Sequence, residues 1–230
     1  MSELAHISAA AAGGIFPALA WLWFWRREDS KHPEPRRLIA LAFIAGMLTV
    51  AIVIPIEKFV AGYLPSETAV FTVWSAIEEI MKFAVAWIVV LRLRDDDEPI
   101  DPVIYMVALA LGFAAAENSL FLLSPLAGNT AVETFITGNL RFVGATLLHV
   151  LSSAAIGVAF GLAFYKPRSI RRRYIFGGVI LAILLHSTFN FLILHTPEAN
   201  LLRTFMYVWI LLVILLAALE YVKRIHPRPR

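Results

Sequence analysis

Seven runs of apolar residues, each about as long as a bilayer is thick, follow one another along the chain with only short polar connections between them. A helix rising about 1.5 Å per residue needs about 20 residues to cross about 30 Å of hydrocarbon. The runs fall at about 4–25, 38–60, 68–91, 103–123, 139–165, 175–195 and 201–222. They predict an all-α fold, a polytopic transmembrane helix bundle of about seven spans. Composition agrees: 60% of the 230 residues are hydrophobic and 16% charged, against about 25% charged in an ordinary soluble domain. No connection is long enough to fold by itself, so residues 1–230 read as a single integral membrane domain.

The basic residues set an expected orientation. With the N-terminus outside and the C-terminus inside, the inner loops hold Arg26, Arg27, Lys31, Arg36, Arg37, Arg92, Arg94, Lys166, Arg168, Arg171, Arg172 and Arg173, and the tail holds Lys223, Arg224, Arg228 and Arg230. Only Lys58, Arg141 and Arg203 then fall outside, so the positive-inside rule favours N-out, C-in. The first run is expected to remain as an anchor, because no cation precedes it and Arg26 and Arg27 follow it. Trp21, Trp23 and Trp25 at its end suit an interfacial belt. The net charge of +3 is spread over these loop clusters, a pattern of orientation signals that sets nucleic-acid binding aside. Cysteine is absent, which excludes disulfides, a cysteine nucleophile and thiolate metal ligands.

Against this background the ionisable residues inside the spans stand out. Every aspartate lies in a loop, and Glu57 and Glu220 near span ends are expected to reach water, as are His6, His32, His195 and His226. What remains at depth is Glu78, Glu79 and Lys82 in the third span, Glu117 in the fourth, His149 in the fifth, and His186 with Asn190 in the sixth. Counted from the expected outer ends, Glu78, Glu117, His149 and His186 lie about 9–15 Å deep at helical rise. Glu78 and Lys82, Phe113 and Glu117, His149 and Ser153, and His186 and Asn190 are each four residues apart, so each pair shares a helix face. Three carboxylates and an ammonium turned to lipid would cost on the order of 10 kcal/mol, so they are expected to converge on a hydrated cavity. Any one of them alone is compatible with helix-to-helix hydrogen bonding. The set at matched depth is not, since packing needs none of them charged.

Carboxylate, imidazole and a neutral amide together offer a general base for water, a proton carrier for a leaving amine and a donor for an oxyanion, the parts needed to hydrolyse a peptide bond without a covalent intermediate. Neither GxSxG nor HExxH occurs, and no pair of aspartates lies inside a span.

The strings EEIMK (Glu78 to Lys82), FAAAEN (Phe113 to Asn118), HVLSS (His149 to Ser153) and HSTFN (His186 to Asn190) occur in order on four successive spans. In these the chain resembles the PrsW-type membrane proteases, within the wider group of CAAX prenyl endopeptidases and bacteriocin-processing enzymes. The resemblance implies an intramembrane endopeptidase with its catalytic core at about 68–195, resident in a cell membrane of the prokaryotic plasma-membrane kind. Its substrates would be single-span membrane proteins of the anti-sigma-factor sort. It implies Glu78 as the residue that activates water. Glu79, Glu117, His149, His186 and Asn190 are the remaining catalytic candidates, with Lys82, Phe113, Asn118 and Ser153 in support. Glutamate at 117, where the wider group has histidine, sets this chain apart from the prenyl-protein endopeptidases.

Two alternatives stay open. Glu78, Glu117, His149 and His186 form a carboxylate and imidazole set suited to Zn²⁺ with an open position for water. In another class, the same groups would serve a proton- or ion-coupled carrier, although no inverted repeat or Gly/Pro-broken pair of spans accompanies them.

Overall fold

A computed structural model describes residues 3–28, 33–93, 97–123, 131–195 and 201–226, with side chains at all of these except 3, 6, 28, 131–143, 193–195 and 201–205. The described chain is all helix: α1 (Glu3–Glu28), α2 (Arg36–Ala61), α3 (Glu67–Val89), α4 (Asp101–Leu123), α5 (Ala131–Leu162), α6 (Arg168–His195) and α7 (Leu201–Val222). Each coincides with one apolar run. The largest departure is α5, which begins at Ala131, well before the apolar stretch itself.

Five of the helices contain stretches long and apolar enough to cross a membrane, in α1, α2, α4, α5 and α6. The described part of the last helix, Met206–Val222, is apolar but shorter. In α3 the apolar run is interrupted by Glu78, Glu79 and Lys82. Its start is well marked: the Ser66 hydroxyl accepts the Ala69 N–H at 3.2 Å, and Glu67 places a negative charge at the positive end of the helix dipole.

The bundle is organised around α4, which packs on α1, α2 and α5. From Asp101 to Ala115 every residue of α4 is buried, so its apolarity runs all round the helix instead of along one stripe. Small residues allow that crowding. A Cβ on Gly46 of α2 would strike the Leu109 carbonyl, and one on Gly112 of α4 would strike the Phe43 carbonyl. The two backbones therefore cross in direct contact, as small-residue pairs permit between apolar helices. Gly157 of α5 meets the Pro102–Val103 backbone in the same way. α5 packs in turn on α6 and α7, and α3 lies across α2 and α6.

The tryptophan belt holds only in part. Trp23 is exposed, but Trp25 turns inward and is 1% exposed, on the core side of α1. His226 is exposed, whereas the readings of His6, His32 and His195 as solvated fall outside the described side chains. Glu220 is exposed and pairs with Lys223 at 2.7 Å.

Candidate active site

Helices α3, α4, α5 and α6 bring their deep polar residues to one place. On α3, Glu78, Glu79 and Lys82 are all buried in a helix whose other faces are apolar. Their spacing of three and four residues puts both carboxylates one turn from the same ammonium: Lys82 Nζ lies 2.8 Å from Glu79 Oε1 and 3.3 Å from Glu78 Oε2. The Lys82 side chain is wholly buried. Its ammonium sits over the Phe113 ring at 4.4 Å and donates to His149 Nδ1 at 2.9 Å.

The two neighbouring glutamates have opposite surroundings. Glu79 accepts from Lys82, from the Ser152 and Ser153 hydroxyls at 2.9 Å each, and from His186 Nδ1 at 2.8 Å. It is a carboxylate satisfied from three helices. Glu78 has its ion pair with the Lys82 ammonium, and its Oε2 is buried without a hydrogen-bond partner among the described residues. Around that oxygen stand His149 Nδ1 at 3.7 Å and His186 Nε2 at 3.9 Å.

Partners assign the imidazole tautomers. His149 Nδ1 accepts from Lys82, so Nε2 carries the hydrogen and donates to Glu117 Oε2 at 2.6 Å. His186 donates from Nδ1 to Glu79, which leaves the Nε2 lone pair facing Glu78. The two rings stand edge to face at 5.1 Å, and Phe113 packs on His149 at 5.3 Å. Exposure rises across the cluster, from 0% for the Lys82 and Glu79 side chains to 9% for Glu78 and 42% for Glu117. The site is closed at the Glu79 side and open at the Glu117 side.

The remaining candidates lie around this centre. Asn190, one turn along α6 from His186, donates to Ser75 Oγ of α3 at 3.3 Å. Asn118 donates to Thr146 Oγ1 at 3.1 Å, tying α4 to α5. Ser153 donates to Glu79, and Ser152 does the same without having been singled out from the sequence. Its only signal was its place beside Ser153.

Among the described residues one set offers the donors for a metal ion: Glu78, His149 and His186, whose ligand atoms lie within 4.8 Å of one another. Each imidazole has a carboxylate behind it, Glu117 for His149 and Glu79 for His186, as metal-binding histidines commonly do. Glu117 is thus behind the donor set, where the sequence had placed it among the ligands. The donor chemistry fits Zn²⁺, although Lys82 already occupies the His149 Nδ1 lone pair.

Residues 34–218 match the family model described as PrsW family intramembrane metalloprotease. The chain belongs to the PrsW family. It is 31% identical over 186 residues to protease PrsW of Geobacillus kaustophilus (strain HTA426), covering 80% of this chain and 79% of that one. Protease PrsW of Clostridioides difficile (strain 630) is 29% identical over 215 residues, covering 90% and 88%. That of Bacillus subtilis (strain 168) is 26% identical over 192 residues, covering 80% and 83%. No solved structure matches the chain. Membership of the PrsW family makes this chain a membrane protease, and its matched region contains all of α2 to α6.

One expectation holds only in part at the edge of the site. Glu57, read from its position near a span end as open to water, is half-buried, with Oε1 shielded and without a hydrogen-bond partner among the described residues. The cause is rotational: Val53, one turn earlier, is fully buried and sets the inward face of α2 that Glu57 continues.

Proposed function

We propose that this PrsW-family chain is an endopeptidase that hydrolyses a peptide bond of a single-span membrane protein, of the anti-sigma-factor sort, with water activated by Glu78. The observation that carries this reading is the contrast between the adjacent glutamates: Glu79 is satisfied by four donors, while Glu78 Oε2 makes no hydrogen bond, with the Lys82 ammonium at 3.3 Å and two imidazole nitrogens at 3.7 and 3.9 Å. A base needs an accepting lone pair aimed at its proton, and Glu78 alone of the pair has one.

In this scheme Glu78 takes a proton from water as the water oxygen attacks the substrate carbonyl. His186, backed by Glu79, accepts that proton at Nε2 and returns it to the leaving amine as the carbon–nitrogen bond breaks. With Nδ1 bonded to Glu79, His186 offers Nε2 as the proton carrier of this scheme. Asn190 keeps a second amide N–H for the carbonyl oxygen. Lys82 neutralises Glu79 and holds His149 and Glu78 in place.

The basic clusters support an N-out, C-in arrangement in a plasma membrane, with the cavity opening toward the outer side. The decisive experiment is proteolysis by purified protein in liposomes containing a single-span substrate, with products read by mass spectrometry. Cleavage by the unaltered protein and none by Glu78→Gln, with folding retained, is the expected result. Proton flux without peptide products would replace the protease reading with a carrier.

A second reading is favoured by the compact donor set. Glu78, His149 and His186 would hold a Zn²⁺ ion, which when bound would supply a more acidic water and a positive charge for the carbonyl oxygen. Elemental analysis of the purified protein and activity after exhaustive chelation separate the two.

A further inference from the structure

Ser75 is a buried hydroxyl with no part in the scheme above. It lies on α3, 0% exposed, one turn before Glu78. Its oxygen is the partner of Asn190, and that contact continues the one beside it. Glu79 of α3 meets His186 of α6 at 2.8 Å, and four residues earlier on α3 Ser75 meets Asn190, four residues later on α6, at 3.3 Å. The two helices therefore run antiparallel and are joined by two polar rungs one turn, about 6 Å, apart.

The Ser75 hydroxyl has one hydrogen and gives it to the Phe71 carbonyl at 2.8 Å, one turn back on its own helix. Toward α6 it can then only accept. An asparagine amide turns about its last side-chain bond between two nearly equivalent settings, and its shape does not choose between oxygen and nitrogen. Ser75 does choose. With Asn190 Oδ1 turned to α3, two acceptors would face one another, whereas with Nδ2 there a hydrogen bond forms. The two hydrogens of a planar NH₂ diverge, so holding one on Ser75 also fixes the direction of the other, which has no partner among the described residues. Asn190 is half-buried and shares its face of α6 with His186, which places the amide one turn from the imidazole that faces Glu78. A flipped amide would present an oxygen there, and a developing oxyanion would be repelled by it.

We propose that Ser75 is a positioning residue for the oxyanion donor: it holds one Asn190 N–H on α3 so that the other is presented to the carbonyl oxygen as charge builds on it. Ser75 touches neither substrate nor water and exchanges no proton. The inference rests on the reading of Asn190 as the donor to that oxygen.

The test is a double-mutant cycle of Ser75→Ala, Asn190→Ala and the double variant, with the full chain in liposomes and a dye-labelled single-span peptide that the unaltered protein cleaves. All rates are taken below the thermal midpoint of the least stable variant. Asn190→Ala is expected to lower kcat about 10²- to 10³-fold, the scale for one oxyanion donor. Ser75→Ala should lower kcat about 10- to 100-fold with KM within about twofold, as for a misplaced group whose contact is made only in the transition state. The double variant should be no slower than Asn190→Ala alone. Ser75→Thr, whose hydroxyl reaches the same carbonyl one turn back, should recover most of the loss. Full kcat in Ser75→Ala overturns the proposal. So does a Ser75→Ala loss that recurs undiminished in the Asn190→Ala background, because a merely structural serine would slow both alike. An Asn190→Ala variant with full kcat removes the donor assignment itself, whereas a slow Asn190→Ala beside a fully active Ser75→Ala removes only this inference.

Discussion

Lys82 Nζ and Glu79 Oε1 lie 2.8 Å apart with neither side chain exposed to solvent, and this ion pair on one helix connects the whole site. From the ammonium the contacts run to His149 and Glu78, and from the carboxylate to His186, Ser152 and Ser153. Removing either charge strands the other in a setting where hydration cannot compensate.

Glu79→Ala should therefore destabilise the bundle by about 3–5 kcal/mol, the scale for breaking a buried pair by deleting one partner. Replacing both residues, Glu79→Gln with Lys82→Met, should return most of the stability and none of the activity. Thermal unfolding of the single and double variants in detergent, beside a cleavage assay, checks the sign of the coupling.

Glu117 touches His149 at 2.6 Å, and its side chain is 42% exposed, so in the proposed scheme it would act through His149. Glu117→Gln still offers an amide oxygen to His149 Nε2, so kcat should fall about 10-fold, at the low end for partners of a functional histidine. Glu78→Gln should fall by about 10²–10⁴-fold, the range for losing a general base. Equal losses in the two variants would mean that both carboxylates meet the water directly.

The crossing of α2 and α4 depends on two glycines whose Cβ positions are taken by backbone. Gly46→Leu or Gly112→Leu should force the helices apart and cost at least about 1–3 kcal/mol, as overpacking does. Because Phe113 follows Gly112 directly and packs on both Lys82 and His149, activity should fall with stability. Gly177, with open space around its Cβ position, is the control, and Gly177→Leu should leave activity and the thermal midpoint unchanged.

The chain has no cysteine, so single-cysteine variants report topology directly. With the N-terminus outside, cysteine placed at Gly62 in the α2–α3 turn should react with a membrane-impermeant maleimide added to intact cells. Cysteine placed at Arg168 should react only after the membrane is opened. The opposite pattern would invert the orientation and put the cavity mouth on the inner side.

The seven helices, and the four that carry the site, were legible because both signals are local. Span length follows from hydropathy over about 20 residues. The inward face of each helix follows from side chains four residues apart, as with His149 and Ser153 or His186 and Asn190. Sequence alone thus determined which polar residues lie at depth, and that their cost requires them to meet.

Which of them is satisfied by partners and which is left open was decided only by tertiary structure. Nothing local distinguishes Glu78 from Glu79: they are adjacent, and both reach Lys82. The distinction comes from α5 and α6, which deliver Ser152, Ser153 and His186 to one carboxylate and leave an oxygen of the other unpartnered. The same holds for Trp25, which sits near a helix end where sequence predicts interface, and which helix rotation turns inward. Rotation and crossing are set by contacts between helices distant in sequence, such as Gly46 on Leu109 and Gly112 on Phe43. A periodicity of 3.6 residues tells a helix which side is polar, but only the neighbouring backbones decide where that side points.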